Sequence, residues 1–93
     1  MFVGAVRIEL HIPGSGSLKD KRAVVRSLKE RIRARTAAAV AEVDHQDLWQ
    51  RAALGVAVVS GEHGQITEQL QAVRGIVESR PDAVVIDWQE QVT

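Results

Sequence analysis

Glu42-Val43-Asp44-His45-Gln46-Asp47-Leu48-Trp49-Gln50-Arg51-Ala52 is the densest run of polar side chains in the chain, and it separates two apolar segments. Read as a hairpin-like loop, it makes Val40-Ala41-Glu42-Val43 a strand that enters it and residues 51–60 a strand that leaves it. Propensity alone would let the alanines of 37–44 prolong a helix, but pairing across a polar loop is the stronger guide. Within 51–60, Leu54, Val56 and Val58 fall on one face and Ala53, Gly55, Ala57 and Val59 on the other. A strand apolar on both faces is a central one.

Working outward toward the N-terminus, residues 2–12 alternate. Phe2, Val6, Ile8, Leu10 and Ile12 take one face, and Val3, Ala5, Arg7, Glu9 and His11 the other. Period two predicts a strand with one face on a core and one face open. Pro13-Gly14-Ser15-Gly16 ends it as a turn. Ser17 then reads as a helix N-cap, with Asp20 in a capping-box-like position. The helix runs from about Leu18 to Arg35 on the stripe Val24, Val25, Leu28 and Ile32.

Toward the C-terminus, Ser60 reads as the cap of a second helix, about Glu62 to Ser79, with the stripe Ile66, Leu70, Val73 and Val77. Pro81-Asp82 is a turn. Ala83 to Val92 is the last strand, with Val84, Ile86 and Trp88 expected inward and Asp87, Gln89 and Gln91 outward. The order βαββαβ predicts a ferredoxin-like α+β two-layer sandwich: a four-stranded antiparallel sheet with two helices on one face and strands one and three in the middle. Residues 1–93 are expected to form a single domain, with no linker, repeat or low-complexity segment.

Composition narrows the function classes. The chain has no Cys, so disulfides and thiolate metal sites are excluded. The apolar start, Met1 to Val6, is too brief for a signal peptide, and no run approaches the roughly 20 apolar residues of a membrane span. A soluble cytoplasmic protein without membrane contact is the expectation. Zero net charge hides an asymmetry: residues 17–35 hold eight Lys/Arg against Asp20 and Glu30, so this segment carries +6 and the remainder −6. Such polarity points to a partner with charge of its own.

Three pieces of the chain carry a family resemblance: Val3-Gly4, Ser17-Leu18-Lys19-Asp20-Lys21-Arg22 and Ala41 to Arg51. Together they are similar to the YlxP-like family of small bacterial proteins, a family of unknown function. The resemblance implies a ferredoxin-like fold. It also implies a gene setting beside transcription-elongation, translation-initiation and ribosome-maturation genes. It brings no established activity. The family carries an aromatic, an Asn and a β-branched residue ahead of the Ala-Glu-Val block, where this chain has Thr36-Ala37-Ala38-Ala39. A looser start to the second strand is expected.

Three candidate functions follow from the residues. Lys19, Arg22, Arg26, Lys29 and Arg33 project within an arc of about 80° at 100° per residue, a basic ridge that would follow a phosphate backbone. The leading reading is a non-enzymatic RNA- or ribosome-associated protein, with Glu42, Asp44, His45, Asp47, Trp49 and Arg51 as a docking loop. The bland alternative is a solvated helix face. A second function is a protein-interaction module that forms a homodimer through its open sheet face, where Val3, Ala5, Ala53, Gly55 and Ala57 are small and apolar. The third is a small metal-dependent hydrolase on Glu42, Asp44 and His45. Alternation would place Glu42 and Asp44 on one side with Val43 opposite, but the spacing matches no known metal motif. The structural alternative has Asp44 or Asp47 capping a turn, Glu42 paired with Arg51 or Arg7, and Trp49 plugging the core. No catalytic residue, metal ligand or cofactor is assigned.

Overall fold

The computed structural model describes all 93 residues. Its elements are β1 (Phe2–His11), α1 (Leu18–Arg35), β2 (Ala39–Asp44), β3 (Arg51–Ser60), α2 (His63–Glu78) and β4 (Val84–Val92). The four strands form one antiparallel sheet in the order β2-β3-β1-β4, and both helices pack on one face. This is the ferredoxin-like α+β arrangement, with β1 and β3 central as their alternating and doubly apolar patterns require. Neither helix is long and apolar enough to cross a membrane.

The core lies between sheet and helices. β1 contributes Val6, Ile8 and Leu10, and β3 contributes Leu54, Val56 and Val58. From above come Val25, Leu28 and Ile32 of α1 and Ile66, Leu70, Val73 and Val77 of α2. Gly4 lets α2 come close. A Cβ there would lie 2.3 Å from Ile66 Cγ2 and 3.1 Å from Leu70 Cδ1. Because Ile66 is fully buried, it has no free space to retreat into. Gly4→Ala is therefore expected to cost about 2 kcal/mol through overpacking, and clearly less when it is made in an Ile66→Ala background, where the clashing methyl is gone. Urea unfolding of the single and double variants checks this.

Ser17 caps α1 as expected, its Oγ accepting from the Asp20 N–H at 3.0 Å. The Asp20 carboxylate reaches one residue further back than a capping box, accepting from the Gly16 N–H. Ser60 does not cap α2. Its Oγ accepts from the Glu62 N–H and lies 2.8 Å from Gln65 Oε1, bracing a bend two residues ahead of the helix. The start of β2 is fastened rather than loose. Thr36 Oγ1 donates to Ile32 O and accepts from the Ala38 N–H, while Gln69 Oε1 accepts from the Ala37 N–H.

Two β-bulges shift faces away from simple alternation. One lies between Glu42 and Asp44, the other opposite Glu9/Leu10 in β4. The second inserts Ile86 as an extra residue, so Val85 opposes Leu10 and packs on the core while Val84 opposes His11. Val84 and Ile86, expected inward, are both 49% exposed. Trp88 opposes Ile8 and does pack against the core.

Candidate nucleic-acid interface and the polar block beside it

All five cations of the ridge lie on the solvent side of α1. Lys19, Arg22, Arg26 and Arg33 are exposed and Lys29 is half-buried. None of the five has a carboxylate within 4.0 Å. Arg33 alone has a fixed protein partner, its Nη2 donating to Val40 O of β2 at 3.1 Å. That bond shows which way the ridge leans. The core side of α1 is Lys21, Val25, Leu28 and Ile32, and the ridge is turned from it toward the outer edge of β2. Unpaired surface cations in a row keep their full field for an incoming anion.

Lys21 is the residue that cation counting concealed. Its side chain is 0% exposed, and Nζ donates to Glu42 Oε2 at 2.8 Å, His45 O at 2.8 Å and Gln46 O at 3.0 Å. An ammonium has three protons, and all three are used. One signal for this was present in the sequence. Lys21 stands four, seven and eleven residues before Val25, Leu28 and Ile32, so it belongs to the buried stripe. A cation there requires a buried acceptor set, which the loop and Glu42 provide.

The bulge in β2 separates the acidic side chains of the central block. Glu42 opposes Leu54 and points under α1. Asp44 opposes Ala53 and lies on the open face, as does Val43, whose Cγ1 would be 2.7 Å from a Cβ on Gly55. Glu42 and Asp44 thus lie on opposite sides, because the extra residue breaks the two-residue period. Glu42, Asp44 and His45 do not converge on one point.

The pairings differ from those expected for Glu42. Arg7 Nη2 donates to Asp44 Oδ2, and Arg7 Nε and Nη2 both donate to Glu9 Oε1. Arg51 Nη2 donates to Glu9 Oε2, which also lies 3.0 Å from His45 Nε2. The network covers Ala53, which is buried although it faces away from the helices. Burial opposes the Glu9 charge, but hydrogen bonds from Arg7 and Arg51 and the nearby His45 outweigh it, holding the carboxyl below the usual range. Asp44 is also lowered, first by the His45 N–H and then by Arg7. Asp82 is lowered chiefly by its hydrogen bond from Arg80.

A carboxyl depressed in the folded state stabilises the fold above its unfolded pKa, and that contribution fades as pH falls through the folded value. Resistance to urea is therefore expected to decline as pH drops below about 5. In Glu9→Gln the decline should be shallower, with Asp44 and Asp82 supplying the remainder. A variant whose pH profile parallels the wild type would sink this assignment.

His45 adopts φ 62°, the left-handed region that His tolerates better than most residues. Its N–H is held by Asp44 Oδ1 at 2.8 Å, and Leu48 N–H closes a turn on His45 O. Trp49 does not plug the core: it is 55% exposed, and Leu48 and Asp47 beside it are exposed too.

Residues 3–90 match the family model described as "Protein of unknown function (DUF503)". The chain belongs to that family. The DUF503 match takes in every element, from the second residue of β1 to Glu90 in β4. The chain is also 35% identical over 81 residues to "Uncharacterized protein YlxP" of Bacillus subtilis (strain 168), covering 87% of this chain and 88% of that one. Membership in the DUF503 family carries no activity with it, so the functional reading rests on the residues.

Proposed function

We propose that the chain is a non-enzymatic RNA-binding protein, working on ribosomal RNA or ribosomal particles, that holds a phosphate backbone along the ridge of α1. One observation carries this reading: five side chains, Lys19, Arg22, Arg26, Lys29 and Arg33, share one solvent face, and none has a carboxylate within 4.0 Å, those of Asp20 and Glu30 on the same helix included. In a chain of zero net charge, this leaves a concentrated positive stripe opposite an acidic remainder. The gene setting implied by the family resemblance supports the same reading. The test is binding to total ribosomal RNA by the wild type and by a variant carrying Arg22→Glu, Arg26→Glu and Lys29→Glu. Arg33 is left in place because its bond to Val40 O braces β2. Loss of binding in a folded variant is expected; equal binding would remove the ridge from the account.

A second reading, homodimerisation through the sheet, is favoured by the open face near the start of β1. Ala5, Ala57 and Val59 are exposed there, and a mostly apolar trough, with Arg7 and Glu90 also in its lining, runs between Val43 and Gln89. A second copy would bury this smooth surface in a self-complementary contact. Sedimentation should then show a dimer that salt leaves intact and Ala57→Lys disrupts. A monomer at high concentration would count against it.

A further inference from the structure

Only one of the three Phe and Trp rings is offered to solvent. Phe2 packs edge-to-face on His63, with ring centroids 5.5 Å apart, and Trp88 lies against the core with the Arg74 guanidinium 4.9 Å from its centroid. Trp49 is left more than half exposed, on a loop that is anything but loose. Lys21 fastens His45 O and Gln46 O, and Leu48 N–H closes on His45 O. Gln50 Nε2 donates to Pro13 O and Ser15 O, while Gln50 O accepts from the Ile12 N–H. Both flanks of Trp49 are thus pinned, and the anchor on one side is a buried residue of the first turn of α1. Lys19 and Arg22, at one end of the ridge, belong to that same turn.

We infer that Trp49 and the α1 ridge form one site for single-stranded RNA, with Trp49 stacking a base while the ridge follows the phosphates. The inference rests on the RNA reading above. Three features support it. An exposed indole held rigidly loses little freedom on stacking, and aromatic stacking is the means by which unpaired bases are gripped without sequence preference. The ridge from Lys19 to Arg33 spans about 21 Å at 1.5 Å per residue, a length suited to a short single-stranded segment. Asp47, exposed and without an ion-pair partner, sits on the Trp49 loop and repels phosphates, which favours a path for the strand over the cations of α1 rather than along the loop. Lys21 and Glu42 act as positioning residues that keep the ring in register with the ridge.

The test uses three probes: a 12-nucleotide oligouridine, a blunt 12-base-pair RNA duplex and inorganic polyphosphate. Trp88→Phe leaves Trp49 as the sole indole. Its emission should be quenched by oligouridine and unaffected by polyphosphate. By filter binding with Trp88 intact, Trp49→Ala should lose about tenfold in affinity for oligouridine. The same variant should hold polyphosphate as tightly as the wild type, and Trp49→Phe should retain most of the oligouridine affinity. Binding of oligouridine and polyphosphate that is unaffected by Trp49→Ala would overturn the stacking role while leaving the ridge intact. Preference for the duplex would overturn it as well. If neither oligouridine nor polyphosphate binds, the RNA reading of the ridge falls, and this inference falls with it.

Discussion

Replacing Lys21 with Met will lower the thermal unfolding midpoint by roughly 15 °C, the largest stability loss expected from any single change at the polar block. The side chain is fully enclosed, and its three protons go to Glu42 Oε2, His45 O and Gln46 O. Met fills similar volume, so no cavity dominates. The penalty comes from what remains: a carboxylate with no counter-charge and two carbonyls with no donor. Removing one partner of a buried ion pair costs about 3–5 kcal/mol. Glu42 keeps slight contact with water, with 16% of its side chain exposed, so the lower end is appropriate. For a chain of this size, each kcal/mol moves the midpoint by about 4–8 °C. Adding Glu42→Leu to Lys21→Met should recover a substantial part, because the stranded charge is gone, but not all of it, because both carbonyls stay unpaired. Calorimetry of the single and double variants decides it; a Lys21→Met midpoint within a few degrees of the wild type would mean the clamp is energetically idle. Hydrogen exchange adds a local check. The Leu48 N–H, closed on His45 O, should lose protection when the clamp is cut.

If α1 holds RNA as proposed, affinity for ribosomal RNA will fall by about a hundredfold between 50 and 200 mM salt. Each phosphate neutralised on a single strand releases condensed counterions and contributes a slope of about −0.7 to log K against log salt concentration. Five contacts, one for each ridge cation, give a slope near −3.5, and the fourfold rise in salt then removes about two decades. Charge reversal at Arg22, Arg26 and Lys29 leaves two cations facing three new carboxylates, so both the affinity and the slope should collapse. A slope near zero in the wild type would be fatal to the ridge, since affinity indifferent to salt does not come from phosphate contacts. These three side chains make no hydrogen bond to the rest of the protein, so the variant should stay folded and circular dichroism can confirm it.

Lys21 and the ridge cations lie close together on one helix, and the difference between them marks where local pattern stops being informative. By counting charges, Lys19, Lys21 and Arg22 look alike. By position, Lys21 falls on the apolar stripe, and the other two fall on the ridge. The helical period was therefore enough to separate them, but it could not say what Lys21 would meet. Its acceptors lie 21 to 25 residues further along the chain.

Element order, the core faces of β1 and β3, the stripes of both helices and the ridge on α1 were determined by sequence alone. Each depends on backbone periodicity, two residues for a strand and 3.6 for a helix, and that is a property of a short stretch. Other features were decided only by tertiary structure. The bulge between Glu42 and Asp44 sends two acids to opposite sides of the sheet, and the bulge at Ile86 turns Val84 outward and Val85 inward. A bulge is a mismatch between two paired strands, so neither strand's pattern contains it. Glu9 behaves in the same way. In the sequence it is one polar residue on an open face; in the fold it gathers Arg7, Arg51 and His45, and buries Ala53 beneath them. Trp49 departs from the structural alternative, in which it plugs the core, for the same reason. Hydrophobicity argues for burial, but the bonds that pin its loop come from α1, the β1–α1 turn and the end of β1, and they hold the ring out in water.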